Sequence, residues 1–181
     1  QENGKTQKFD ITVSDKGHIS LWDINKGHTI TGVLVPNGLS VDEYCYNSEK
    51  NYVAAVCSRT FNDAQLFIWK PNVDNGKFIK LSETKKVKDI RLCNDNTNML
   101  VSYSDNSVEY IAIATMQVLM QISPQRSSVS LKEIVINKSQ NLLVVPCANG
   151  VCVYNMSTKG IVKELNVEAG KITFSPNGKK L

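Results

Sequence analysis

Short apolar runs separated by polar clusters recur along the chain, and no segment keeps the spacing of an amphipathic helix. The runs are four to six residues long and rich in Val, Ile, Leu and Tyr. Between them lie clusters of Asn, Asp, Gly, Ser and Lys, which are typical of turns and loops. The pattern therefore predicts an all-β protein made of short antiparallel strands.

The apolar runs are grouped into repeats along the chain. The third run of each repeat ends near an aromatic or bulky residue, and these residues are regularly spaced. The equivalent positions are Trp22, Trp69, Ile111 and Tyr154. They lie 47, 42 and 43 residues apart along the chain. This interval is typical of one four-stranded propeller blade and is too long for a leucine-rich or ankyrin repeat. We therefore predict a β-propeller of about four antiparallel blades.

The predicted blades cover residues 9–34 (three strands only), 39–81, 87–122, 131–167 and 171–181, the last a single first strand. Within the complete blades, we predict strands over residues 39–46, 52–57, 65–69 and 78–81; 87–93, 99–103, 107–113 and 118–122; and 131–136, 142–147, 151–154 and 161–167. We expect the central strands to be buried on both faces and outer strands such as 161–165 to have one wet face. The two partial units add up to one blade, so a closed four-bladed ring is one alternative. A piece of a larger ring is favoured, because four blades is the lower end of the usual range.

Two segments resemble the WD-repeat propellers. Leu21-Trp22-Asp23 is similar to the end of that family's third strand, and Phe174-Ser175-Pro176-Asn177-Gly178 is similar to its first-strand turn. The segments that start at Ser14-Asp15 and Ser104-Asp105 resemble the family's turn between the second and third strands. The resemblance implies structural repeat positions at Trp22, Asp23, Trp69, Tyr154, Asp15 and Asp105.

The chain also departs from the WD-repeat pattern. Lys70 follows Trp69 where the family usually has Asp, and Ile111 and Tyr154 replace the Trp altogether. The His of the family's buried hydrogen-bond set is missing, since His28 follows the third strand directly. Cohesion between blades is therefore expected to come from apolar packing. The resemblance implies a non-catalytic scaffold for protein–protein interaction, without a cofactor, inside a larger regulatory or complex-assembly protein.

Composition and charge narrow the classes of partner. The chain has 41% hydrophobic and 21% charged residues, a net charge of +4 and a pI near 8.7. Such a mild positive charge disfavours nucleic acid as the partner. No apolar run is long enough for a membrane-spanning helix. The start of the chain has neither an initiator Met nor an apolar stretch that could be a signal peptide, so it reads as the interior of a longer polypeptide. We also expect a cytoplasmic or nuclear location. The expected partners are other proteins and the remainder of the same propeller.

Five cysteines are present, at positions 45, 57, 93, 147 and 152. Their odd number and dispersed spacing argue against a disulfide framework, and we interpret them as small apolar residues inside strands. Cys147 and Cys152 flank one turn, so a redox pair or half of a metal site is an alternative there.

The loop 58–64 is the leading candidate for partner binding. It is longer than the corresponding loops of the other units, and it carries Arg59 close to Phe61. Arginine and aromatic residues are enriched at interaction hot spots. An ordinary surface insertion explains the loop equally well. Lys85, Lys86 and Lys88 form a weaker candidate patch for an acidic partner.

No sequence motif for catalysis is present: the chain has no phosphate-binding loop, dinucleotide fingerprint or nucleophile elbow. Two other functions stay open, a ligand-sensing or catalytic propeller that uses its central channel and an RNA-associated propeller of a ribonucleoprotein. The first-strand polar residues that a channel site would use are Asp42, Glu43, Lys88, Asp89, Arg91, Lys132 and Glu133.

Overall fold

A computed structural model describes residues 8–60, 63–124, 126, 129–167, 171–178 and 180–181. The strands are β1 (Phe9–Val13), β2 (His18–Asp23), β3 (His28–Leu34), β4 (Ser40–Asn47), β5 (Tyr52–Ser58), β6 (Gln65–Trp69), β7 (Lys77–Ile79), β8 (Val87–Leu92), β9 (Asn98–Tyr103), β10 (Val108–Ala112), β11 (Gln117–Ile122), β12 (Val135–Asn137), β13 (Leu142–Cys147), β14 (Gly150–Asn155) and β15 (Ile161–Leu165). Two short 3-10 turns, Pro36–Gly38 and Leu131–Glu133, are the only helical elements of the described residues. No helix in this part of the chain has the length and apolar character needed to cross a bilayer.

The strands form four antiparallel sheets in which neighbours in the chain are neighbours in space. Sheet 1 contains β1–β3, sheet 2 contains β4–β7, sheet 3 contains β8–β11 and sheet 4 contains β12–β15. Each sheet is an open meander with two edge strands. The all-β class predicted from the apolar runs is therefore confirmed, as are the three strands predicted within residues 9–34.

The chain divides into two compact units. The first comprises residues 1–83 and 92–98, and the second comprises residues 84–91 and 99–181. The first unit thus holds sheets 1 and 2 with the turn that follows β8. The second holds most of sheet 3 and all of sheet 4.

The core of the first unit consists of apolar side chains from sheets 1 and 2, including Ile19, Leu21, Val53, Phe67 and Trp69. In sheet 2 the second strand β5 is buried at every residue except its last, and in sheet 3 the second strand β9 is buried throughout. Burial on both faces explains why these strands read as mostly apolar runs. The expectation for the central strands is therefore confirmed for β5 and β9, whereas the third strands β6 and β10 are only partly buried.

Sheet 4 begins differently from its prediction. Instead of a continuous strand over residues 131–136, the chain forms a 3-10 turn at Leu131–Glu133, and β12 covers Val135–Asn137 alone. The cause is a capping box: the Ser130 hydroxyl accepts the Lys132 N–H at 3.3 Å, and the Glu133 carboxylate accepts the Ser130 N–H at 3.1 Å. These bonds satisfy backbone groups that would otherwise need a neighbouring strand.

Residues 171–175 do not form the predicted first strand of a further blade. None of the described strands forms a hydrogen-bonded ladder with them. Ile172 and Phe174 instead pack against an apolar cluster of sheet 4 formed by Val144, Val151 and Val153.

The outer strand β15 was expected to have one buried face, and this expectation is wrong. Four of its five residues are exposed, with Ile161 at 48% and Val162 at 56%. Among the described strands, this edge strand hydrogen-bonds to β14 alone.

Candidate functional site

The connections before β4 and after β5 meet at one end of sheet 2. Ser40 at the start of β4 pairs with Ser58 at the end of β5, because the two strands run antiparallel. The 3-10 turn Pro36–Gly38 precedes this pair, and the loop containing Arg59 follows it. Asn37 and Gly38 have φ values of 67° and 62°, a backbone conformation that Asn and Gly adopt most readily. We call the surface formed by Asn37, Ser40, Asp42, Ser58 and Arg59 the Arg59 surface.

Side-chain hydrogen bonds join the two connections across this surface. The Arg59 Nη2 group donates to the Asn37 carbonyl at 3.1 Å, and the Ser40 hydroxyl donates to the Ser58 carbonyl at 3.0 Å. The Ser58 hydroxyl donates to a carboxylate oxygen of Asp42. The segments on either side of the β4–β5 pair are therefore held in fixed positions although Arg59 itself is exposed.

A β-bulge directs Asp42 toward these partners. The register between β4 and β5 shifts between Val41 and Glu43, so Asp42 is the extra residue on β4. A bulge re-aims the side chain of the inserted residue and increases local twist. Asp42 and Tyr44 are both exposed on β4, Tyr44 at 46%. The sheet end thus offers a cation, an anion and an aromatic ring within one strand pair and its loop.

The prediction for the loop 58–64 rested on two residues. The structure places Arg59 on the surface with its guanidinium held by the Asn37 carbonyl. Phe61 lies outside the described residues. The contact between Arg59 and Asn37, which are 22 positions apart, could not be read from the sequence.

The three lysines of the predicted acidic-partner patch have different environments. Lys85 is tied to its own sheet: its Nζ lies 3.2 Å from an Asp105 carboxylate oxygen, 2.8 Å from the Ser107 hydroxyl and 5.2 Å from the centre of the Tyr103 ring. Lys86 is exposed, whereas Lys88 is half-buried within β8. The structure therefore gives Lys85 a structural contact and leaves Lys86 as the exposed member of the group.

Asp105 is the centre of this lysine contact. Its Oδ1 accepts both the hydroxyl and the backbone N–H of Ser107, at 2.6 and 2.9 Å. These two bonds, with Lys85 as a smaller contribution, lower the pKa of Asp105 to about 2. The buried Tyr103 hydroxyl donates to Glu109 at 2.7 Å, and burial together with this bond raises the pKa of Tyr103.

Several of the polar residues considered for a channel site form hydrogen bonds with backbone groups of the protein itself. Arg91 donates through Nη1 to the carbonyls of Leu131 and Ile134, at 2.7 and 3.0 Å. Glu43 accepts the Leu92 N–H at 2.9 Å. Glu133 belongs to the capping box described above. Within the described residues, no group of His, Cys, Asp and Glu side chains could hold a metal ion.

The predicted repeat positions share a local feature in three sheets. The register between the last two strands of the sheet shifts directly before Trp22, Ile111 and Tyr154. The corresponding pairing of β6 with β7 contains no shift, and the Trp69 indole donates to the Asp74 carbonyl at 3.1 Å instead. A bulge at the same place in three sheets agrees with the spacing read from the sequence.

Asp15 and Asp105, in the two turns that resemble the WD-repeat turn, occupy different positions within their turns. Ser14 and Tyr103 receive equivalent turn hydrogen bonds, from the N–H groups of Gly17 and Asn106, both of which have positive φ. Asp15 is therefore one position after the accepting residue of its turn, whereas Asp105 is two positions after the accepting residue of its own. Asp15 is exposed, and the first turn is capped by the Ser14 hydroxyl, which accepts the His18 N–H at 3.2 Å.

Two buried asparagines tie neighbouring turns together, and sequence reasoning missed them. In the first unit, Asn47 Nδ2 donates to the Asn96 carbonyl at 3.2 Å while its Oδ1 accepts the Lys50 N–H at 2.9 Å. In the second unit, Asn137 Nδ2 donates to the Gly178 carbonyl at 2.9 Å while its Oδ1 accepts the Gln140 N–H at 3.2 Å. The sequence does contain a signal for them, because each begins an Asn-x-x-x-Asn pattern. The second Asn of the pattern, Asn51 or Asn141, ends the turn and has a positive φ.

An open groove of about 460 Å³ lies beside Asn137 in the second unit. Val135 and Phe174 supply apolar walls, and Lys138, Ser139 and Thr173 are among its polar lining residues. The Asn137–Gly178 hydrogen bond fixes the distance between its two sides.

Comparison with known proteins shows a likeness in fold and indicates no function. No family model and no curated protein matches the chain. Chains of solved structures do match, among them the crystal structure of the computationally designed Ika8 protein, with a TM-score of 0.55 and 15% sequence identity. The match covers 96% of this chain and 52% of that chain, so this chain spans about half the length of the designed protein. At this identity the likeness describes the arrangement of strands alone.

Proposed function

We propose that the four sheets are blades of a WD-repeat-like β-propeller, and that this segment of a larger intracellular protein is a non-catalytic scaffold for protein–protein interaction. Two features support the propeller: consecutive antiparallel meanders, and the recurrent bulge in the pairing of the last two strands of three sheets. The indole of Trp22 also donates to the Thr12 hydroxyl on the neighbouring strand at 2.8 Å. A side-chain bond of this kind agrees with the resemblance drawn from Leu21-Trp22-Asp23.

The observation that carries the binding function is the bond between exposed Arg59 and the Asn37 carbonyl. This bond restricts a side chain that otherwise loses much rotamer entropy when a partner immobilises it. The Ser58 hydroxyl holds the Asp42 carboxylate in the same way. A loop whose binding groups are already positioned loses less entropy on association, which favours affinity.

The chemistry of the Arg59 surface favours a protein partner that presents a carboxylate. A guanidinium donates through several N–H groups and pairs with carboxylates in a bidentate manner. The bond to Asn37 uses one Nη2 donor, so other donors stay available at the exposed end. Tyr44, which lies on β4 with Asp42, adds an exposed aromatic group of the kind enriched at interaction hot spots.

The test compares two single substitutions in the full-length protein. Arg59→Ala removes the cation of the Arg59 surface, whereas Lys50→Ala removes an exposed cation from the turn at the opposite end of the same β4–β5 pair. Proteins crosslinked to the wild type in cell extract are quantified by mass spectrometry for both variants. We expect Arg59→Ala to lose at least one partner that Lys50→Ala retains, with unchanged thermal unfolding in both.

Two results would contradict the proposal. Identical crosslinked partners for the wild type and Arg59→Ala would remove the role of the Arg59 surface. RNA as the main crosslinked species, with an affinity that falls steeply as salt rises, would favour the ribonucleoprotein alternative.

A further inference from the structure

Cys147 and Cys152 lie on one face of sheet 4, beside the tight turn that joins β13 to β14. In this pair of strands Cys147 lies opposite Gly150, and Val145 lies opposite Cys152. Side chains two positions apart on a strand point to the same side. The two cysteines are therefore diagonal neighbours, for which Cα atoms are typically about 7–8 Å apart and Cβ atoms closer.

The two thiols differ in their exposure to solvent. Cys147 is half-buried, whereas Cys152 is buried. Burial, the Cys147 thiol and the Glu164 carboxylate across the strand raise the pKa of Cys152 to about 12. One thiol of the pair is thus partly accessible to solvent, whereas the other is buried.

The remaining cysteines offer no comparable arrangement among the described residues. Cys45 and Cys57 are buried in the first unit, where burial raises their pKa values to about 11 and 12. Cys93 is half-buried in the turn after β8. Because its accessibility resembles that of Cys147, Cys93 is the natural control for a thiol that merely reaches solvent.

We propose that Cys147 and Cys152 are a reversible dithiol–disulfide pair, closed by low-molecular-weight disulfides of the glutathione type. In the first step the Cys147 thiolate attacks the small disulfide, forming a mixed disulfide and releasing one small thiolate. In the second step the Cys152 sulfur gives its proton to water and attacks the Cys147 sulfur, releasing the second small thiolate. Two protein thiols are oxidised, one small disulfide is reduced to two small thiols, and the released protons complete those thiols.

The geometry allows this disulfide to form and makes it easy to reduce. Disulfides usually join Cα atoms about 4.4–6.8 Å apart, so the ends of β13 and β14 must draw together slightly from the typical diagonal spacing. A strained disulfide has a more oxidising potential than a relaxed one and is reduced more readily by a thiol pool. The pair therefore has the properties of a labile, reversible modification and not of a permanent structural bridge.

The chain offers a direct readout of closure. Trypsin cleavage after Lys138 and Lys159 releases residues 139–159, which contain Cys147 and Cys152 and no other cysteine. Folded full-length protein is incubated with oxidised glutathione, its free thiols are then alkylated, and this peptide is weighed. We expect a transient glutathione adduct at Cys147 followed by a peptide that lacks two hydrogens and resists alkylation.

Three variants separate the pair from general thiol reactivity. Cys152→Ser should stop at the stable mixed disulfide on Cys147, Cys147→Ser should leave Cys152 as a free thiol, and Cys93→Ser should oxidise like the wild type. Thermal unfolding identifies which variants are folded, and a trivalent arsenical, which bridges two neighbouring thiols, tests their proximity in the wild type without any substitution. Closure only after the protein has been unfolded, or failure of the arsenical to bind the folded protein through this pair, would overturn the proposal.

Discussion

Asp23 and Asn155 occupy equivalent places at the ends of β2 and β14, and each holds the turn that follows its strand. Asp23 Oδ1 accepts the N–H groups of Asn25 and Lys26 at 3.0 and 3.1 Å. Asn155 Oδ1 accepts those of Ser157 and Thr158 at 2.9 and 3.0 Å. The aspartate after Trp22 is thus a turn cap, and an amide oxygen performs the same task after Tyr154.

This equivalence predicts which substitutions the two turns tolerate. Asp23→Ala and Asn155→Ala each remove an acceptor of two backbone N–H groups and should each lower the free energy of unfolding by about 1 kcal/mol. Asp23→Asn and Asn155→Asp keep the acceptor oxygen and should lose less. Urea unfolding of the four variants measures the differences. Equal loss for Ala and for the conservative replacement at either position would show that the cap is not the cause.

Glycine supplies a second matched pair, Gly27 and Gly76. Both have positive φ, 68° and 74°, so a Cβ is unfavourable at either position. A Cβ at Gly27 meets nothing within 4 Å, whereas one at Gly76 collides with the Phe67 ring. Phe67 is fully buried and packs edge-on against Phe78, with ring centres 5.3 Å apart, so it has little room to move.

We therefore expect Gly76→Ala to destabilise the protein more than Gly27→Ala does. Gly27→Ala carries the backbone cost alone, about 1–2 kcal/mol. Gly76→Ala adds the displacement of a buried aromatic ring, which typically costs a further ~1–3 kcal/mol. Thermal unfolding of both variants gives the comparison, and a smaller loss for Gly76→Ala would contradict the packing described for Phe67.

Local features of the sequence were sufficient to predict most of the strands, but they did not predict the long-range contacts. Apolar runs and turn residues placed β5, β6 and β13 within one residue of their observed bounds, because strand and turn preferences act over a few neighbours. The tie from Asn47 to Asn96 spans 49 positions, and the Lys85–Ser107 bond spans 22. No local pattern in a single sequence specifies such a pair. The same limit explains why Lys85 was grouped with Lys86 as a partner-binding cation although Asp105 already holds it.

The lowered pKa of Asp105 predicts a contribution to stability at the acid end of the pH range. Its folded pKa of about 2 lies below the value of about 3.9 typical of an unfolded chain. The stabilisation is therefore fully present above the unfolded value and is lost as pH falls through the folded one. Asp105→Asn should unfold like the wild type near pH 2 and be less stable than the wild type near neutral pH. Urea unfolding at several pH values measures this, and a constant difference between the two proteins across that range would contradict it.

Asn47 and Tyr52 converge on one acceptor, the carbonyl of Asn96, and this convergence yields a final prediction. The Asn47 amide and the Tyr52 hydroxyl donate to it at 3.2 and 2.7 Å. Tyr52→Phe removes one donor and should cost about 1 kcal/mol. Asn47→Asp keeps the acceptor for the Lys50 N–H but replaces the donor with a carboxylate that faces the carbonyl, so its cost should be larger, about 1–3 kcal/mol. The loss in the double variant should differ from the sum of the two single losses, because both bonds share one acceptor and therefore couple. Urea unfolding of the two single variants and the double variant completes the cycle, and simple additivity within experimental error would mean that the two donors act independently on the turn 92–98.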